Sequence, residues 1–106
     1  MTTFDTTAER TTVYDLVIGG LHDLLAEQER PIPADLGEAT RLLGKEATLD
    51  SLGLVTLIVD LEARIEDRFD IALTLADERA MSQQRSPFRT IGALTDYICT
   101  LLAEER

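Results

Sequence analysis

Apolar residues recur at intervals of three and four along most of this chain, and at intervals of two almost nowhere. Leu54, Ile58, Leu61, Ile65 and Phe69 are the clearest case, spaced by four, three, four and four. That spacing gathers them on one face of a helix and would scatter them over both faces of a strand. Val13, Leu16, Val17, Leu21, Leu24 and Leu25 make a second stripe, and Ile91, Leu94, Ile98 and Leu101 a third. Striped helices must bury those faces against one another, so the pattern predicts an all-α bundle. "DIALTL", residues 70–75, comes nearest to alternation, and it is short and isolated. The chain has 106 residues, enough for one core, and reads as a single domain over 1–106 with a flexible start.

Local signals set the expected helix ends. "TTAE" at Thr6 to Glu9 has the form of a capping box, with Thr11 or Thr12 as an alternative start. Gly19 and Gly20 interrupt the first stripe, each at a cost of about 1 kcal/mol against alanine, so packing must hold that helix. "PIP" at 31–33 is expected to end it. Residues 34–50 read as a long first loop with a short helical turn around Glu38 to Leu42. The second helix runs from near Ser51 to about Phe69, and Thr90 caps the last one. Thr74 to Asp77 would cap a short helix through about Ser82. The expected architecture is therefore three longer helices and one short one.

Charge and composition narrow the partners. Twenty acidic residues stand against ten basic ones, a formal net charge of −10. Such a surface repels nucleic acid and anionic membranes and suits partners with basic faces, although solubility alone would also account for it. No apolar run is long enough to span a bilayer, and "MTTFDTTAER" lacks the basic start and apolar core of a signal peptide. A cytoplasmic protein is expected. Cys99 is the only cysteine, which leaves no internal disulfide and no multi-cysteine metal site.

Ser51 is the residue with the most chemical interest, since it stands where a turn becomes a helix. Nucleophilic catalysis would require a base within reach and an oxyanion hole. The only histidine, His22, lies in the first helix between Leu21 and Asp23; no G-x-S-x-G elbow is present, and Lys45 is the only lysine. No pair of carboxylates has a supporting framework, and the chain is not expected to be an enzyme. Two uses remain for a serine in this place. Its hydroxyl can cap the helix, or it can carry a phosphoryl group, which the N–H groups and the dipole of a helix start favour.

"LDSLGLVTLIVDLEARIEDRF" resembles the 4′-phosphopantetheine attachment region of acyl carrier proteins and of peptidyl or aminoacyl carrier domains. The triplet Asp50-Ser51-Leu52 matches the family motif, followed by Val55, Leu57, Ile58, Leu61, Glu62 and the closing Phe69. "TIGALTDYICTLL" resembles the family's last helix, so the likeness extends over nearly the whole chain. It implies a four-helix bundle in which Ser51 takes up covalent 4′-phosphopantetheine from coenzyme A through a Mg²⁺-dependent phosphopantetheinyl transferase. Asp50 and Leu52 would help position that site. The arm would hold acyl or aminoacyl cargo as a thioester, supplied by an activating ligase and consumed by condensing or transfer enzymes. The carrier itself is expected to be a monomer that meets neither nucleic acid nor membrane.

Departures from the family pattern point away from housekeeping fatty-acid synthesis. Gly53 and Thr56 stand where fatty-acid carriers often have acids, and "LTLADERAMSQQRSPFR" is longer than the usual connection to the last helix. A specialised stand-alone carrier fits better. The alternatives are a housekeeping carrier, or an acidic helical adaptor whose Ser51 stays unmodified. On the face opposite the buried stripe, Leu52, Thr56, Val59, Asp60 and Ala63, flanked by Glu62, are expected to dock partners.

Overall fold

The computed structural model describes residues 6–42, 48–75 and 88–105. Three helices occur among them: α1 (Thr6–Glu27), α2 (Ser51–Phe69) and α3 (Ile91–Glu104). No strand forms there, and the one β-bridge pairs Arg41 with Thr90. Helix α1 packs against both neighbours, whereas the Cα traces of α2 and α3 come no closer than 8 Å. The outer helices therefore share the core only through side chains.

The predicted stripes are largely the buried ones. On α1, Val13, Val17, Leu21, Leu24 and Leu25 are buried and Leu16 is half-buried. On α2, Leu54, Ile58, Leu61 and Ile65 are buried as expected, while Phe69 is half-buried under Arg68, whose guanidinium lies 5.6 Å from the ring centroid. Leu57 joins the buried face, which widens it from a line to a band. Gly20 explains why. A Cβ there would lie 3.3 Å from both Leu57 Cδ1 and Leu61 Cδ2, so the missing side chain lets α2 settle onto α1 along Leu57. On α3, Leu102 is buried while Leu101 is half-buried, and Thr95 is buried with its hydroxyl donating to the Ile91 carbonyl at 2.8 Å.

The helix ends differ from expectation in one place. α1 stops before Pro31, because Glu29 adopts a left-handed conformation with φ 57°. The Arg30 N–H then donates to the Leu25 carbonyl (2.9 Å) and the Glu29 N–H to that of Ala26 (3.1 Å), the paired bonds of a Schellman motif. α2 closes in a similar way, with Asp70 at φ 57° and its N–H bonded to the Glu66 carbonyl. From there the chain turns back along α2. The Leu75 N–H donates to Glu62 Oε2 at 2.7 Å, and Leu73 and Leu75 are buried. Residues 71–75 are not helical, and the remainder of the short helix expected through Ser82 lies outside the described residues. The same holds for Ser86 and Pro87, and for residues 1–5, whose flexibility was expected.

Glu38 to Leu42 forms a turn and a bridge instead of the expected helical turn, and α3 supplies the reason. The first N–H groups of a helix have no partner within it. Here the Thr40 carbonyl accepts from the Ile91 N–H (3.0 Å) and the Glu38 carbonyl from the Gly92 N–H (2.9 Å), while Thr90 Oγ1 accepts from the Ala93 N–H (3.0 Å). Leu42 donates in turn to the Arg89 carbonyl at 2.8 Å. A helical turn at 38–42 would pair the Glu38 carbonyl with the Leu42 N–H and so withdraw both from this junction. Phe88, fully buried, meets Tyr97 edge-on with ring centroids 6.0 Å apart, and anchors this approach to α3. Arg10 of α1 adds bonds to Glu38 and, at 2.8 Å, to Asp96, which raise its pKa further above the ordinary arginine value.

Gly92 is fitted to that junction. A Cβ would lie 3.1 Å from the Glu38 carbonyl oxygen and from Glu38 Cβ. In an unconstrained helix, alanine would gain about 1 kcal/mol over glycine. Overpacking against fixed backbone outweighs that gain, and Gly92→Ala is expected to lower stability by about 1 kcal/mol net. Urea titration checks this; a raised midpoint would show that the loop yields freely.

Candidate functional site

The first turn of α2 begins with Leu49, buried beneath it, and Asp50, exposed in an extended conformation. Asp50 is the N-cap. Its Oδ1 accepts from the Gly53 N–H at 2.7 Å, and its carbonyl accepts from the Leu54 N–H at 2.9 Å. Ser51 is the first helical residue. The N-cap is thus the residue before the serine.

Gly53 is buried over Leu49 and Asp50. A Cβ at this position would lie 3.0 Å from Asp50 Oδ1 and 3.3 Å from Leu49 Cδ2. The glycine is thus more than a missing acid. A side chain there would press on the cap.

Along the outer face of α2, Leu52, Val55 and Val59 are 74%, 50% and 60% exposed, an apolar strip starting beside Ser51. Thr56, Ala63 and Asp67 are exposed on the same side. The Thr56 hydroxyl is engaged locally, donating to the Leu52 carbonyl at 2.9 Å. Val55 was not among the expected docking residues, although the spacing 52, 55, 59 is itself a helical stripe and could have revealed it.

Two of the expected docking acids are committed inside the protein. Glu62 is half-buried and holds the Leu75 amide. Asp60 is half-buried and turned toward α1. Its Oδ2 accepts from Arg64 Nε at 2.6 Å and would lie 3.2 Å from a Cβ on Gly20. The same guanidinium reaches Asp23 Oδ2 of α1 at 2.8 Å, so Arg64 bridges the two helices. These bonds, led by that to Asp23, hold Arg64 above the ordinary arginine range, and the bond from Arg64 holds the Asp23 carboxyl below its usual value. A cleft of about 110 Å³ opens beside this bridge, lined in part by Gly20, Leu24 and Leu57. It is well below the roughly 300–1,000 Å³ of a small-molecule pocket.

His22 is exposed, with Nδ1 3.9 Å from Asp23 Oδ1. Among the described residues no group of three or more histidine, cysteine, aspartate or glutamate side chains could hold a metal ion. Among them, too, no helix is long and apolar enough to cross a membrane. Cys99 is half-buried against the core. Comparison of the chain with protein-family models, with curated proteins and with solved structures returned no match.

The Asp23–Arg64 bond carries a pH signature. Because the folded Asp23 pKa lies below the ordinary aspartate value, its contribution is fully present above that ordinary value and is lost as pH falls through the folded one. Asp23→Asn is expected to lower the urea midpoint near neutral pH, and the gap from wild type should narrow as the solution is acidified. A gap that is constant with pH would mean that the ion pair contributes nothing.

Proposed function

We propose that this chain is a stand-alone carrier protein, modified at Ser51 by 4′-phosphopantetheine and serving a specialised biosynthetic pathway in the cytoplasm. The observation that supports this most is the division of labour at the start of α2. Asp50 caps the helix through the Gly53 N–H, and Ser51 follows it as the first helical residue. A phosphodiester at a helix N-terminus is also favoured by the dipole and the terminal N–H groups.

The residues around the position fit such a group. Attachment calls for a hydroxyl-bearing residue at a reachable place, and both neighbours, Asp50 and Leu52, are exposed. In the transfer, the Ser51 hydroxyl would attack the phosphorus of coenzyme A that bears pantetheine, forming the Ser–O–P bond and releasing 3′,5′-ADP; the hydroxyl proton passes to the transferase. Once bound, the group supplies a terminal thiol that holds an acyl or aminoacyl cargo as a thioester. The chain itself catalyses nothing in this scheme. It positions the attachment turn and presents a surface to the phosphopantetheinyl transferase, the activating ligase and the condensing or transfer enzymes.

That surface is the strip Leu52, Val55 and Val59, with Thr56 and Ala63 beside it. Gly53 and Thr56 offer no charge to a basic enzyme rim, and Asp60 and Glu62 are spent on internal bonds. Apolar docking, with little steering from this part of α2, favours a dedicated pathway over housekeeping fatty-acid synthesis. The proposal retains a short fourth helix between α2 and α3.

Incubation with coenzyme A, Mg²⁺ and a broad-specificity phosphopantetheinyl transferase tests the proposal by intact mass. Wild type is expected to gain one phosphopantetheine and Ser51→Ala none. Wild type left unmodified by a transferase that modifies a control carrier would refute the carrier reading.

A further inference from the structure

We infer that Gly53 is a positioning residue for modification at Ser51, acting through Asp50, and that its lack of a side chain is what keeps the attachment turn in the shape a transferase reads. The inference rests on the carrier reading above and adds to it a residue that the surface strip does not include.

Three observations meet at this position. Gly53 is buried, unlike Leu52 and Val55 on either side of the first turn. Its N–H is the donor that fixes the Asp50 carboxylate, at 2.7 Å. Its missing Cβ would lie 3.0 Å from that same carboxylate oxygen and 3.3–3.4 Å from Leu49 Cδ2 and Cβ, contacts tight enough that a neighbour must give by a few tenths of an ångström. Leu49 is itself buried, only 4% exposed, so it cannot swing into solvent without uncovering apolar surface. Asp50 is exposed and can move. A Cβ at 53 is therefore relieved by shifting the Asp50 carboxylate, which strains its cap bond. Residues 49, 50 and 53 enclose Ser51 in sequence, so loosening the cap loosens the backbone that carries it.

A glycine inside a helix normally weakens it. Here the weakening is accepted at the one place where a side chain would disturb the residue next to the modified serine. An acid two positions after the serine, as fatty-acid carriers often have, would thus crowd the cap in this chain, whereas Thr56 is exposed and could be replaced by one freely.

The test is a double-mutant cycle read by transferase kinetics, with coenzyme A and Mg²⁺ as the other substrates. Gly53→Ala is expected to lower kcat/KM for modification about tenfold, with KM for coenzyme A unchanged. On an Asp50→Ala background the same change should matter less than about twofold, because the group it acts through is gone. Wild-type rates in Gly53→Ala, or an equal loss on both backgrounds, would overturn the inference. Failure of wild type to be modified at all would instead sink the carrier reading. Should Gly53→Ala fold poorly, amide hydrogen exchange decides between the outcomes. The Gly53 amide should be protected in wild type and lose protection in Asp50→Ala; fast exchange in wild type would overturn the inference.

Discussion

The close approach of α1 to α2 at Gly20 fixes the rotation of α2, and most of what α2 displays follows from that rotation. With no Cβ in the way, Leu57 and Leu61 lie against the α1 backbone. Fully burying a leucine side chain is worth about 1.5–3 kcal/mol, so turning α2 to expose these two would be costly. The Asp60–Arg64–Asp23 bridge adds direction to that apolar contact: the 2.6 Å bond within α2 holds the guanidinium, and its 2.8 Å bond to Asp23 forms only when this edge of α2 faces α1. Once that face is set, Leu52, Val55 and Val59 have no core to reach. Their exposure follows from the way the opposite face is packed.

The far side of α1 is organised by backbone chemistry. The first loop gives two carbonyls to the N–H groups that α3 cannot satisfy internally, and Arg10 draws Glu38 and Asp96 to the same corner. A chain with an excess of ten acids uses two of its arginines, Arg10 and Arg64, as bridges between elements. Exposed ion pairs of this kind add little energy singly, about 0–1 kcal/mol, but they choose among packings of similar apolar burial. Acids left unbridged on α2, Glu66 and Asp67 among them, remain exposed near its C-terminal end and away from Ser51.

Helical periodicity revealed the three stripes because each helix buries one face, and Thr90 was legible as a cap from its hydroxyl alone. The misses arise where tertiary partners decide. Leu57 was left out of the expected stripe because its burial depends on Gly20, thirty-seven residues away in the sequence. Glu38 to Leu42 read as a helical turn because nothing local shows that α3 will take its carbonyls. Asp60 and Glu62 read as docking acids, since a helical wheel cannot show that Arg64 and the Leu75 amide already hold them. Val55 is a different case. Its exposure was readable from the phase of α2, and only the emphasis on residues opposite the stripe hid it.

Near Ser51 the sequence left two roles open, cap or attachment point. The cap belongs to Asp50, by a bond of 2.7 Å to the Gly53 amide, and the carrier proposal depends on that assignment. Its most direct test is the stability of two unmodified variants compared side by side in urea. Loss of a helix cap costs about 0.5–2 kcal/mol, so Asp50→Ala should fall by about 1 kcal/mol while Ser51→Ala stays within about 0.5 kcal/mol of wild type. A Ser51→Ala loss as large as that of Asp50→Ala would show that the serine is needed to hold the helix, and would contradict the account.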